Sequence, residues 1–417
     1  MWRRGRLPLG RPPDPVHPQH DQRPRLDRPD RRAVRPRPSD LGLLRRRLLR
    51  PGGCLCRAPA DHHRHPAQPG AVHPPVPDAA GAHPGGAARA GARGAGPARL
   101  PAPRPARDRR TGGLIAVASS TVLCYGELGV DNLIQVPNLP SPERAAFPVS
   151  DEYHIGGAAA NTAVWLAAWG VPVRLAGNAI GQDELGRRLW GWLGAYPALD
   201  LRFIEHLPDV ATPFCRILVT PDGERSILVY GYPRTPKTLV SPEMLAGVSY
   251  LALDLYGGAE RLQAAQAARN AGATTVVLDV VELDHPVLAW TDILILSAAY
   301  LRSERPGVNP LERAKELRGV SQGTVILTDG PRPIVALARD GGRFSLQPPQ
   351  VHPVDTTGAG DSFRAGLIYS LLHGGDLRAS VAFAAAAGAL KITASGSAAG
   401  VPAVDIVSQA AGGLLVV

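Results

Sequence analysis

Near its carboxyl end the chain runs Val354-Asp355-Thr356-Thr357-Gly358-Ala359-Gly360-Asp361-Ser362-Phe363, a small-residue turn followed at once by a carboxylate. Phe363, Leu367, Ile368, Leu371 and Leu372 recur at helical spacing and Gly374-Gly375 close the pattern, which predicts a helix starting at the turn. The first N–H groups of a helix have no intrahelical acceptor and carry the positive end of its dipole. Gly358, Ala359 and Gly360 have little or no side chain to keep an anion such as a phosphate away from those donors. Asp361 then stands beside the anion, placed to take the proton of an attacking hydroxyl, which is phosphoryl-transfer chemistry. A plain tight turn with an acidic first helical turn would carry the same residues, so the local pattern leaves both readings open.

A second small-residue run, Gly156-Gly157-Ala158-Ala159-Ala160-Asn161, again precedes a helix, now with an amide at its start. Bare backbone at Gly156 and Gly157 allows a ligand to approach closely, and Asn161 offers both a donor and an acceptor, as a polyhydroxyl ligand requires. The alternative is an asparagine that merely caps the helix. Asp131, shortly after the first strand, adds a carboxylate able to accept from two sugar hydroxyls, or else is an ordinary loop aspartate.

These residues need a frame, and the region after residue 112 supplies an alternating one. Apolar runs at 114–117, Val122–Tyr125, Val171–Ala176, Tyr250–Leu253, Thr275–Leu278, Ile293–Leu296 and Val325–Thr328 read as buried strands. Helical patterns at Asn161–Trp169, Leu185–Leu193, Glu260–Ala271 and Pro310–Leu317 lie between them. That rhythm predicts an α/β fold, a doubly wound and mainly parallel sheet flanked by helices. One portion breaks it: Phe214–Thr220 and Arg225–Tyr230 flank Pro221-Asp222-Gly223-Glu224 and read as a β-hairpin. With the extended segment Asn132–Val136 it would form a small projecting sheet, a lid over about 131–153 and 212–231 that covers a ligand or pairs with a second copy in a homodimer.

Residues 1–112 are of another kind. They hold 24 arginines, 8 aspartates and no lysine or glutamate, a formal charge of +16 against +10 for the whole chain, so residues 113–417 carry −6. The basic excess therefore belongs to the segment before the domain, and a nucleic-acid role for the domain loses its main support. Dense Pro, Arg, Gly and Ala with few large apolar residues cannot offset the entropy of ordering, so a disordered tail is expected. A reading that begins upstream of the true start would account for the same composition. No apolar run approaches the roughly 20 residues needed to cross a bilayer. Cys124 and Cys215 fall in strand-like runs and read as free thiols, which with the missing membrane span suggests a cytoplasmic protein.

Taken together, these motifs resemble the ribokinase-like carbohydrate kinases, the phosphofructokinase-B family, over about residues 120–404. The 156–161 run resembles that family's amino-terminal signature, the 355–363 run its carboxyl-terminal signature, and Asn178-Ala179-Ile180-Gly181-Gln182-Asp183-Glu184-Leu185-Gly186 its Gly-x-Asp-x-x-Gly segment. The resemblance implies an ATP-dependent kinase acting on a hydroxyl of a small sugar or nucleoside, with Asp361 as catalytic base and the backbone of Gly358, Ala359 and Gly360 as anion hole. It implies that Asp131, Gly157 and Asn161 hold the acceptor and that Thr328 and Gly330 lie near ATP. It further implies that Asp355 and the Thr357 carbonyl bind a monovalent cation, usually potassium, and that the Ser395–Pro402 loop closes near adenine. One departure stands out: the family's Asn-x-x-Glu is replaced by Ser297-Ala298-Ala299-Tyr300, so Mg2+ would arrive on ATP, held mostly by phosphates and water. The same departure motivates a competing reading, a non-catalytic binding module on this fold. Phe214, Arg216 and Asp254 are expected among the side chains that shape the acceptor pocket.

Overall fold

A computed structural model describes residues 120–414 except Glu224 and Leu255. The expected tail over 1–112 and the expected strand at 114–117 lie outside the described residues. The described residues open with β1 (Thr121–Gly126), β2 (Gly129–Gln135), β3 (Ser150–Gly156), α1 (Ala158–Ala168), β4 (Val173–Gly177), β5 (Ile180–Gly181) and α2 (Glu184–Gly194). It continues through β6 (Leu199–Asp200), β7 (His206–Leu207), β8 (Phe214–Val219), β9 (Arg225–Tyr230), α3 (Pro242–Leu245), β10 (Val248–Leu253), α4 (Ala259–Asn270) and β11 (Thr274–Leu278). There follow β12 (Ile293–Ser297), α5 (Ala298–Glu304), α6 (Pro310–Ser321), β13 (Thr324–Asp329), β14 (Arg332–Leu337), β15 (Arg343–Leu346), α7 (Ala359–Leu372), α8 (Leu377–Lys391) and α9 (Val404–Gly412).

The main sheet has nine strands in the order β15-β14-β13-β12-β11-β10-β1-β4-β6. It is parallel from β13 to β6, and the β13–β14 and β14–β15 pairs at one flank are antiparallel, so β14 alone runs in reverse. The chain passes from β1 to β4 on one side and later returns to β10 on the other, so the order switches at β1, where such sheets open a crevice at the carboxyl ends of the strands. β1 shows why both faces must be covered. Val122 and Cys124 pack with α1, α7 and α8 residues such as Ala163, Leu367 and Ala384, whereas Leu123 and Tyr125 pack with Ala264 of α4 and Leu317 of α6. An apolar run without alternation is what a strand buried on both faces requires.

The expected small sheet is present as a separate four-stranded layer, β3-β2-β8-β9. β2 and β8 pair in parallel, while β3 and β9 flank them antiparallel. β3 was not expected: Ser150-Asp151-Glu152-Tyr153-His154 is polar, and it becomes a strand because Gln135 through Gly129 offer it a full antiparallel partner. Cys124 and Cys215 are free, as the sequence suggests. No helix among the described residues is long and apolar enough to cross a membrane.

Candidate active site

Gly358 caps α7 in the left-handed conformation, φ 77°, and a Cβ built there would lie 2.7 Å from Cβ of Ser397. Both facts demand glycine, because an L-residue pays a backbone penalty at that φ and has no room beside Ser397. Around Gly360 nothing lies within 4 Å of the corresponding position, so the start of α7 has open space next to its first N–H groups.

Asp361, in the first turn of α7, is 8% exposed. Its Oδ2 accepts from Nδ2 of Asn161 at 2.9 Å, a contact that joins residues 200 positions apart. Asn161 is not the cap of α1. Gly157, at φ 90°, holds that place and the helix begins at Ala158, so the amide projects from the first turn into the interior. Its Oδ1 is buried and has no hydrogen-bond partner. Gly157 itself is pressed against the chain: a Cβ there would fall 2.3 Å from the Glu127 carbonyl oxygen.

Burial raises the pKa of the Asp361 carboxyl, while the Arg364 guanidinium and the Asn161 amide pull it back. Sequence reasoning missed Arg364, a fully buried arginine one helical turn on. It donates to Thr162 Oγ1 from Nη2 at 2.7 Å, to the Leu253 carbonyl at 2.8 Å and to the Ala158 carbonyl at 2.8 Å, with Nη2 also 3.9 Å from Asp361. The signal was local: a cation three residues after Asp361 on the face that carries Phe363 and Leu367 must find partners inside.

Asp131 lies on β2 opposite His154 of β3 and Cys215 of β8. It is 5% exposed and accepts from the Ser397 hydroxyl at 3.2 Å. Burial pushes it up to about 7, and the Ser397 hydrogen bond only partly opposes this. Asp254 lies just beyond β10, takes N–H groups of Glu127 and Tyr256 on its two oxygens, and is raised first of all by burial. Asp279, beyond β11 at φ 50°, accepts from Ser297 N–H at 2.6 Å and is pushed up to about 6 by burial. The strand ends thus present several buried carboxyls around the start of α7.

Asp355 is 3% exposed, and each of its carboxylate oxygens has a partner in the protein. Its Oδ1 accepts from Thr357 N–H at 2.8 Å and its Oδ2 from Gly396 N–H at 2.9 Å. Lys391, the last residue of α8, donates from Nζ to the Asp355 carbonyl at 2.7 Å and lies 3.3 Å from Oδ2. Burial alone would raise Asp355, but the Lys391 charge and the two N–H groups outweigh it and hold the carboxyl below the usual range.

Residues 119–404 match the pattern of the pfkB family carbohydrate kinases. The chain belongs to that family. Probable fructokinase-6, chloroplastic, of Arabidopsis thaliana is 27% identical over 333 residues, spanning 70% of this chain and 82% of its own length. Ribokinase of Haemophilus influenzae is 25% identical over 297 residues, spanning 68% of this chain and 95% of its own. The same fold occurs in Arabidopsis thaliana ribokinase, solved in complex with ribose and ATP, with a TM-score of 0.60 at 21% identity over 70% of this chain and 99% of that one. The protein is therefore a carbohydrate kinase.

In this pfkB kinase the expected residues fall into two groups. Asp361, Asn161, Gly358 and Asp131 converge through direct contacts or through Ser397. Thr328 and Gly330 stand apart at the carboxyl end of β13, with β12, β11 and β10 between them and β1. The 395–402 loop, expected near adenine, sends Gly396 to Asp355 and Ser397 to Asp131.

Proposed function

We propose that the chain transfers the terminal phosphate of ATP to a hydroxyl of a small sugar or nucleoside. The observation that carries this reading is the Asn161–Asp361 hydrogen bond at the start of α7. It fixes a candidate base beside a helix N-terminus and leaves the Asn161 carbonyl oxygen buried without a donor, a vacancy that a substrate hydroxyl would fill. Asp361 takes the hydroxyl proton as that oxygen bonds to the γ-phosphorus, and the bond from phosphorus to the bridging oxygen breaks to release ADP. N–H groups at 358–360 receive the charge of the transferring group. Asp131 and Asn161 hold the acceptor, and Thr328 and Gly330 lie along the nucleotide side of the strand ends.

Among the described residues no group of three or more His, Cys, Asp or Glu is close enough to hold a metal ion. Mg2+ would enter on the phosphates of ATP, completed by water and at most one or two carboxylates of the chain. A homodimer through the lid is supported by its outer strand: Ile227, Leu228, Val229 and Tyr230 of β9 are 45%, 52%, 59% and 41% exposed along an unpaired edge. Light scattering at twice the chain mass would bear this out, and the monomer mass would refute it. Catalysis is tested by ADP release against a panel of sugars and nucleosides. Acceptor-dependent release supports the kinase reading, whereas ligand binding with no turnover for any acceptor would favour the non-catalytic module.

A further inference from the structure

The family resemblance calls for a monovalent cation on Asp355 and the Thr357 carbonyl, and at Asp355 the residues present do not fit one, because an ammonium already stands against it. Each carboxylate oxygen of Asp355 already accepts a backbone N–H, and its carbonyl oxygen accepts from Lys391. The Lys391 ammonium is 2.7 Å from that carbonyl, 3.3 Å from Asp355 Oδ2 and 3.4 Å from the Ala394 carbonyl. One carboxylate and two backbone carbonyls form the kind of oxygen set that replaces the hydration shell of a potassium ion. Here the set is filled by a positive charge carried on the chain, on a side chain only 1% exposed.

The location ties this charge to the reaction site. Asp355 stands three residues before Gly358, the cap of α7. Gly396, which donates to Asp355, is followed by Ser397, which packs on Gly358 and donates to Asp131. The ammonium therefore anchors both walls of the turn whose N–H groups would receive the phosphate.

We propose that Lys391 takes the place of a bound monovalent cation, supplying a tethered positive charge beneath the anion hole, so that this kinase works without potassium. The proposal rests on the phosphoryl-transfer reading for its catalytic consequence, but the occupancy of the site by Lys391 can be tested apart from it.

The experiment compares the full chain in KCl and in tetramethylammonium chloride at equal ionic strength, by turnover and by melting temperature. Wild type should turn over within about twofold in the two salts and melt at the same temperature in both, since a site already filled binds no further cation. In Lys391→Ala the emptied site should lower turnover on the order of 10²-fold in tetramethylammonium, the scale of losing one preorganised electrostatic contact. Potassium should restore much of that loss and raise the melting temperature of the variant alone. Activation of wild type about tenfold or more by potassium, or a potassium-dependent rise in its melting temperature, would overturn the proposal. Those wild-type arms stand even where the variant fails to fold. If no acceptor is turned over in any salt while the melting pattern holds, the kinase reading falls and the Lys391 substitution for a cation survives.

Discussion

As the proposed base, Asp361 would act only when ionised, and its surroundings pull in opposite directions. Burial favours the neutral acid, while Arg364 and Asn161 favour the carboxylate. Because the folded pKa is raised, kcat/KM should fall as pH drops through a value above the ordinary aspartate pKa of about 3.9. Removing Arg364 takes away the largest opposing influence, so Arg364→Met should move this acid limb to still higher pH. It should also destabilise the fold by about 3 kcal/mol, since a guanidinium linking α7 to Thr162 and to the Leu253 and Ala158 carbonyls would be lost. A pH–rate profile and a urea melt read the two effects, and an unmoved acid limb would remove Arg364 from the site. Asp361 and Asn161 stand out in the sequence because each follows a small-residue run before a helix, whereas Asp131 stands out only as a carboxylate after the first strand. Asp254 is legible only as a residue shaping the pocket, and Arg364, Lys391 and Asp279 are not legible as site charges, because their partners lie up to 202 residues away and only the folded chain brings them together.

At the scale of elements, the proposed site depends on the start of α7. Its two glycines differ in kind. Gly358 needs the left-handed conformation and faces Ser397, so Gly358→Ala should cost about 1–2 kcal/mol of stability from the backbone alone, with a further loss from the clash. Gly360 has an ordinary helical position and open space, so Gly360→Ala should change stability by less than about 1 kcal/mol. It should nonetheless raise KM for ATP and lower kcat, because the methyl group enters the space a phosphate would use. Thermal melts beside steady-state kinetics separate the two; a Gly360→Ala enzyme with unchanged kinetics would argue that the phosphate sits elsewhere. The strands of the parallel core were legible because burial on both faces leaves uninterrupted apolar runs. β3 was not, since a polar strand of an exposed sheet owes its conformation to pairing with β2. β14, with Pro333 inside it, also reads poorly as a strand, and it survives on the antiparallel flank of the sheet.

The molecule gathers buried carboxyls at the carboxyl ends of its interior strands and on β2, and this has a consequence for stability. Asp279 and Asp131 are pushed up to about 6 and about 7, and Glu127 and Asp254 are raised as well, by burial first, with added repulsion from Asp361 on the three aspartates and from Asp254 and Asp131 on Glu127. Each has a folded pKa above its unfolded one, so each favours the fold below the unfolded value of about 4 and loses that contribution as pH rises through the folded pKa. Asp355, Asp183 and Asp329 are lowered and act oppositely, supporting the fold above the ordinary range and failing only in acid. The ligand-free protein should therefore melt at a higher temperature near pH 5 than near pH 8. Asp131→Asn should flatten that slope; a melting temperature that climbs steadily over the same interval would contradict the burial of these groups.

The kinase reading depends most on one carboxylate, and its direct test uses the acceptor that the panel identifies. Asp361→Asn, beside wild type, should bind ATP and acceptor with little change by calorimetry yet release ADP slower by on the order of 10²–10⁴-fold. Turnover of the Asn variant at the wild-type rate would show that the proton leaves by another route and that Asp361 is not the base.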